Sequence, residues 1–299
     1  MRGRNNLLED IRKRYGTEEC INTFREMCKT QKDRAVALIN DARLGFATLY
    51  ILIPVIKEFD LSEHLSPKNN RAVTICESIK KRKEPTLADI EGTLEWILTS
   101  GSEDDGLCDE FDTIIDDAAS LLINKFHNSK ILPTVAKIIF SRNAKGGYIH
   151  DLVWVFFRSR NIEALVITAG YLLSKNEKNV RLARELLNIH EDVSGKKAEY
   201  KKMFQWIKEN YPYIRFTGEN FLYSSRPNPF DIDVKSKYLC KSDIAKTDQI
   251  PEFDSLDKEA QTTLADFSGR LFKRSRTDWE KFMKQPIEAQ LEEARRYLR

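Results

Sequence analysis

The most apolar part of the chain, residues 148–190, consists of three segments with different patterns. Residues 152–157 and 162–173 are almost continuously apolar, and four polar residues separate them. From residue 177 onward, apolar and charged residues recur at intervals of three and four. Such intervals are typical of amphipathic helices, whereas continuous apolar runs are typical of buried ones. We therefore predict three successive helices here, of which the first two lie in the core.

Helical spacing extends through most of residues 1–210, which we interpret as one helical domain. Ser66 is followed by a proline, a typical helix start, and Thr86 and Asp89 have the spacing of a capping box. The predicted helices are one or two within 1–30, followed by 33–53, 67–83, 86–98, 109–126, 131–141, 148–158, 161–174, 177–190 and 195–210.

Short helices joined by loops of a few residues indicate an all-α fold. Two architectures fit a multi-helix array of this kind, an irregular bundle and a HEAT-like α-solenoid. No fixed repeat period is present, and the signatures of TPR and ankyrin repeats are absent. Both architectures therefore remain open at this point.

The composition changes at residue 211. Residues 211–254 contain four prolines and eight aromatic residues and no helical pattern. Because disordered segments are poor in aromatic residues, we predict an ordered, extended segment packed on the helical body, with a hairpin turn at Thr217–Asn220. The alternative is a surface that recognises a partner or stacks on bases. Residues 255–299 regain helical spacing and form a predicted C-terminal helical tail.

The bulk composition favours a soluble protein of the cytoplasm. The formal net charge is only +3, and no part of the chain is a basic arm, so bulk charge does not require a nucleic-acid partner. Five scattered cysteines without CxxC spacing predict free, reduced thiols. No signal peptide is expected at the N-terminus.

The longest uncharged apolar run, Leu44–Ile56, is too short to cross a membrane, since a spanning helix needs about 20 residues. We expect a buried helix there that ends or kinks near Pro54.

Two basic clusters require a choice between two interpretations. Lys80–Lys83 and Arg270–Arg276 each lie at the end of a predicted helix, where cations stabilise the negative end of the helix dipole. A structural role as solvated helix ends is therefore the first interpretation. The alternative is a nucleic-acid surface formed by both clusters together with Arg158 and Arg160.

One pair of residues resembles a catalytic motif. His150-Asp151 lies within an apolar helical pattern and resembles the core of the HD-domain metal phosphohydrolases, helical enzymes with the pattern His…His-Asp…Asp. The matching positions are His127, His150, Asp151 and Asp192, and the resemblance implies a divalent cation bound among them. The pair is followed by Leu-Val-Trp-Val, where the family has a glycine-containing turn.

Taken together, these patterns predict a non-catalytic helical scaffold or adaptor that binds another protein. No catalytic residue, metal ligand or cofactor site is predicted on this first hypothesis. A nucleic-acid-binding protein is the alternative hypothesis, and an HD-like metal-dependent phosphohydrolase is a remote one.

Overall fold

Helices separated by short loops account for nearly all of the structure, as the apolar spacing predicts. The computed structural model describes residues 6–85, 90–103, 107–189, 195–220, 224, 227–241 and 250–298. Within these residues it contains seventeen α-helices and one two-stranded sheet, so the all-α prediction is confirmed. No described helix has both the length and the apolar character needed to cross a membrane.

The elements are numbered in chain order. The α-helices are α1 Leu7–Tyr15, α2 Thr17–Thr30, α3 Lys32–Ile39, α4 Phe46–Glu58, α5 Pro67–Lys80, α6 Glu91–Gly101, α7 Asp109–Asn124, α8 Leu132–Lys145, α9 His150–Arg158, α10 Glu163–Gly170, α11 Glu177–Leu186, α12 Lys196–Asn210, α13 Val234–Tyr238, α14 Pro251–Asp254, α15 Lys258–Arg274, α16 Arg276–Phe282 and α17 Ile287–Leu298. The strands are β1 Ile214–Phe216 and β2 Phe230–Ile232, and single 3-10 turns lie at Ser62–His64, Ser129–Ile131, Tyr171–Leu173 and Tyr211–Tyr213.

The described residues form two compact units. The first contains those of Met1–Ile167 and Lys175–Leu182, and the second contains those of Thr168–Ser174 and Ala183–Arg299. The division predicted from composition, into 1–210, 211–254 and 255–299, stays a prediction about domains.

The core of the first unit is built around α4. Nine of its thirteen residues are buried, and its aromatic side chains pack against those of α6 and α7. Phe46 contacts Trp96 edge-on at 5.6 Å and stacks on Phe111 at 5.8 Å between ring centroids. Aromatic contacts of this kind add to the free energy gained from apolar burial.

The predicted helix over 33–53 is wrong, because two helices, α3 and α4, occupy this region. Polar side chains fix the loop between them. Asn40 donates to the carbonyl of His64 and accepts from the backbone N–H of Ser66. The backbone N–H of Gly45 donates to the carboxylate of Glu9 at 2.6 Å. Such side-chain bonds compete with the helical backbone pattern, and spacing alone does not reveal them.

The expected end of the helix near Pro54 is wrong, since α4 continues to Glu58, whereas a kink at Pro54 stays a prediction. Pro54 is on the exposed side of the helix, whereas Val55 and Ile56 directly after it are buried. Burial of these two side chains offsets the hydrogen bond lost at the proline.

Two helix starts were predicted from their capping residues. The hydroxyl of Ser66 accepts from the N–H of Asn69, with proline at the first helical position, as predicted. The predicted capping box at Thr86 and Asp89 lies outside the described residues.

The hairpin predicted in 211–254 is present in the second unit. β1 and β2 are antiparallel, with Arg215 opposite Asp231. The connection is longer than a tight turn, and the hydroxyl of Thr217 and the carboxylate of Glu219 both bind the backbone of Asn228. Residues 221–223 and 225–226 of this connection lie outside the described part.

The prediction that 211–254 lacks helix is wrong at α13 and α14. Asp233 caps α13 by accepting from the N–H of Ser236 at 2.9 Å. Tyr238 then stacks on Phe253 of α14 with ring centroids 4.5 Å apart, and its hydroxyl donates to Gln290 at 2.8 Å. Tertiary burial therefore stabilises helices too short to be recognised by spacing.

A buried serine on α15 connects three elements of the second unit. The Ser268 hydroxyl donates to the carbonyl of Tyr238 at 2.6 Å and accepts from the indole N–H of Trp279 at 2.8 Å. We expect Ser268→Ala to lower the free energy of unfolding by about 1–3 kcal/mol, because both partners lose a buried hydrogen bond. The measurement is urea unfolding followed by circular dichroism.

The control for Ser268 is Thr262→Ala on the same helix. The Thr262 side chain is exposed and donates only to the carbonyl of Lys258. Its loss should change stability by no more than about 0.5 kcal/mol. Equal effects of the two substitutions would contradict the role assigned to Ser268.

Candidate functional site

The HD-like residues do not converge. His150 and Asp151 begin α9, whereas His127 lines a cavity with Arg158 and Arg160 at the other end of that helix. A nine-residue helix rises about 12 Å between its ends. Asp192, the fourth matching position, lies outside the described residues. Among the described residues no three His, Cys, Asp or Glu side chains are grouped so as to hold a metal ion.

Asp151 instead lies near an ion network. The guanidinium of Arg142, which is 3% exposed, is 2.7 Å from Asp116 and 3.4 Å from Asp112. Burial raises the pKa of Asp116 to about 7, although the nearby Arg142 acts in the opposite direction. The network joins α7 to α8, which is a structural role.

One residue of the first basic cluster, Lys80, is paired with an acidic residue. Lys80 is 2.8 Å from Glu110 of α7 and lowers the pKa of that carboxyl group. The adjoining cavity of about 740 Å³ is lined by three cationic and three acidic side chains. The lining residues with charge are Lys80, Arg82, Lys83, Glu84, Glu110 and Asp117. Positive and negative side chains are therefore mixed around this cavity.

The second basic cluster belongs to the other unit and is more open. Arg270 is exposed, and the ammonium of Lys273 donates to the carbonyl of Glu209 at the end of α12, at 3.0 Å. Arg274 lies over the ring of Tyr297 at 5.7 Å, and Arg276 pairs with Glu280. The cluster therefore continues toward the surface of α12.

A groove lined mainly by apolar side chains lies between α12 and β2 in the second unit. It has a volume of about 470 Å³ and opens to solvent. Its walls are formed mainly by Met203 and Trp206 of α12 and by Phe230 and Ile232 of β2. The rings of Trp206 and Phe230 meet edge-on with centroids 5.8 Å apart, and this contact joins the two walls of the groove.

A buried ion pair holds one wall of the groove in place. The Glu199 carboxylate, fully buried, accepts from the guanidinium of Arg184 at 2.8 and 3.0 Å. This bidentate pair ties α12 to the last turn of α11, and Leu187–Ile189 directly after α11 also line the groove. A bidentate arrangement is geometrically specific, so α12 is held in one orientation.

The outer edge of β2 borders the same groove. Inter-strand bonds link Thr217 with Pro229 and Asp233 with Tyr213. Because bonded and non-bonded pairs alternate in an antiparallel ladder, the backbone of Phe230 and Ile232 is directed away from β1. The N–H of Ile232 turns to the carboxylate of Asp231. Among the described residues no strand other than β1 pairs with β2.

The exposed face of α12 is basic and aromatic. From residue 196 to residue 208 the chain has five lysines and one glutamate, and that glutamate is the buried Glu199. Lys197, Lys201, Phe204 and Lys208 recur at intervals of four and three, so they share one face. Phe204 is 43% exposed. Within the described residues, none of Lys197, Lys201, Lys202 and Lys208 has an acidic partner.

Sequence reasoning identified the helix at 195–210 but predicted no site on it. The pattern of five lysines with an exposed phenylalanine was the available signal. The groove itself had none, because its walls come from three separate segments of the chain.

Cys108 is exposed, and its sulfur is 3.9 Å from the Tyr50 hydroxyl. All five cysteines are free. No histidine forms a hydrogen bond with Cys108 among the described residues.

The chain was compared with protein-family models, with curated proteins and with solved structures, and it matches none of them.

Proposed function

We propose that the chain is a non-catalytic helical scaffold that binds another protein through the groove between α12 and β2. The observation that carries this proposal is an apolar groove, walled by Trp206 and Phe230, beside a strand edge with outward-directed backbone groups. Apolar grooves of this kind accept side-chain anchors, and strand edges add main-chain hydrogen bonds. Helix and strand are held rigidly by the Arg184–Glu199 pair and the Trp206–Phe230 contact.

The occupant that fits this groove is an extended acidic peptide segment with large apolar side chains. Side chains of a strand alternate in direction, so every second residue reaches the wall formed by Trp206 and Met203. Lys202 lines the groove, and Lys197, Lys201 and Lys208 lie elsewhere on the surface of α12. These four lysines lack acidic partners in the described part of the chain, so they attract carboxylates. A basic peptide of the same apolar pattern should be repelled.

The test uses a short dye-labelled peptide in which leucine alternates with glutamate, measured by fluorescence anisotropy. The matched peptide replaces glutamate with lysine. We expect saturable binding of the acidic peptide alone, weakening as sodium chloride rises.

Reversing charge at the rim should weaken the binding. Lys201→Glu with Lys202→Glu is expected to reduce affinity for the acidic peptide by about tenfold or more, because the charge of Lys202 at the groove and of its neighbour Lys201 becomes repulsive toward carboxylates. Both side chains are exposed, so folding should be unaffected. The control is Lys281→Glu with Lys284→Glu, two exposed lysines at the end of α16. An equal loss of affinity in the two double variants, or no loss in the Lys201–Lys202 variant, would count against binding in the groove.

Nucleic-acid binding is the second candidate function, and one observation favours it. The contact of Lys273 with Glu209 makes the 270–276 cluster continuous with Lys208 of α12. Exposed aromatic and cationic side chains together suit single-stranded nucleic acid. Oligothymidylate that bound more tightly than the acidic peptide, with a steep salt dependence, would favour this second function.

A cytoplasmic setting is part of the proposal. Burial raises the pKa of the Cys20 thiol to about 11 and that of Cys76 to about 12. Thiols that stay protonated oxidise slowly, which suits a protein with free cysteines.

A further inference from the structure

A small cavity in the first unit differs from the other cavities in the charge of its lining. It has a volume of about 360 Å³ and lies where α7 and α9 end. His127, Arg158 and Arg160 line it together with amide and hydroxyl side chains, and no carboxylate does. Each of the other four described cavities includes at least one carboxylate.

The cations of this cavity are not neutralised by neighbours. Among the described residues neither His127 nor Arg160 forms an ion pair, and Arg158 contacts only the face of Trp154, at 4.8 Å. Several other cavity-lining cations of the unit pair with carboxylates, as Lys57 does with Glu77. Glu91 and Glu95 bind the side-chain amide of Asn128 but do not line the cavity.

Helix dipoles do not account for this charge. The two helix ends contribute about half an elementary charge each, against two full charges from the arginines. The end carbonyls are also satisfied by backbone donors, since Asn128 donates to Leu122 and Arg160 donates to Phe157. The guanidinium groups are therefore not needed for capping.

The backbone is held in an uncommon conformation on both sides of the cavity. His127 has φ of 51° and Arg160 has φ of 50°, a region that side-chain-bearing residues adopt rarely. On one side the Ser159 hydroxyl fixes the turn by donating to the carbonyl of Phe156 at 2.7 Å. The two turns thus bring residues from separate loops to one concave surface.

We propose that this cavity binds the phosphate group of a small phosphorylated molecule. Guanidinium groups bind phosphate oxygens through paired hydrogen bonds, and serine and asparagine add neutral donors. The cavity is within the size range of small-ligand sites. This site is independent of the α12–β2 groove, which belongs to the other unit.

The test measures binding of adenosine monophosphate and of inorganic phosphate by isothermal titration calorimetry. Arg158→Gln with Arg160→Gln should weaken binding of both probes by about tenfold or more. The control is Arg14→Gln, an exposed arginine of the same unit, which should leave binding unchanged. Circular dichroism shows whether each variant is folded.

A second measurement makes the result specific to the cavity. In the imidazole NMR spectrum the resonance lost in His127→Gln identifies this ring, and it should shift on adding adenosine monophosphate. Unphosphorylated adenosine should cause no shift. Oligothymidylate without terminal phosphates separates a phosphomonoester site from a nucleic-acid backbone site, and preferential binding of that polymer would overturn the proposal. Absence of saturable phosphate binding, or binding equal in the arginine variant and the control, would also overturn it.

Discussion

Replacing Arg142 with methionine is expected to lower the free energy of unfolding by about 3–5 kcal/mol near pH 8, because Asp116 is left buried without its partner. Methionine preserves most of the apolar stem, so the loss reports the missing charge. The measurement is urea unfolding at several pH values.

The loss of stability in Arg142→Met should depend on pH, and the direction of this dependence follows from the ionisation of Asp116. Burial raises its folded-state pKa to about 7, far above the unfolded value. Below about pH 7 the folded carboxyl group keeps its proton with or without Arg142, whereas above it Arg142 stabilises the ionised form. Without Arg142 the folded pKa rises further. The loss of stability should therefore be about 1 kcal/mol smaller near pH 5 than near pH 8.

The double substitution Arg142→Met with Asp116→Asn is the control. In the double variant position 116 no longer carries a carboxyl group that can release a proton. The loss of stability in this variant should therefore not grow between pH 5 and pH 8. A loss that is equal at both pH values in the single variant would show that Asp116 is not the titrating partner.

Trp206→Ala is expected to reduce affinity for the acidic peptide by about 30-fold or more. Trp206 forms a wall of the groove with Phe230. Buried tryptophans at interface centres commonly contribute about 2 kcal/mol or more, and 1.4 kcal/mol corresponds to tenfold. Fluorescence anisotropy with the labelled peptide measures the change.

Phe204→Ala provides the matched control for Trp206. Phe204 is on the same helix but on its exposed face, and it does not line the groove. Its loss should change affinity by less than about threefold. If Phe204 proved more important than Trp206, the binding surface would be the outer face of α12 and the groove would be excluded.

The helices of the first unit were predictable where apolar spacing was uninterrupted. α5, α7, α8 and α9 begin within two residues of their predicted starts. The loop between α3 and α4 was not predictable, because it depends on bonds from Asn40 and Glu9 to residues distant in sequence. α13 was missed for a similar reason, since Tyr238 is buried against Phe253 and Gln290.

Both sites depend on residues that are far apart along the chain. The contiguous cluster at Lys80–Lys83 was recognisable in the sequence as a possible binding surface, yet Lys80 is paired with Glu110. Lys197, Lys201, Lys202 and Lys208 of α12 are spread by helical spacing and are therefore less conspicuous, although these four lack acidic partners in the described structure. His127 and Arg158 were singled out for unrelated reasons, and only the fold places them in one cavity.

The central claim is that an extended acidic peptide binds between α12 and β2. The most direct measurement is the amide and indole NMR spectrum of isotope-labelled protein during titration with the leucine–glutamate peptide. Binding of the peptide in the groove should produce saturable shifts of the backbone amide resonances of Phe230 and Ile232 and of the Trp206 indole resonance. Saturable shifts confined to residues outside the groove, or no shifts at a peptide excess, would contradict it.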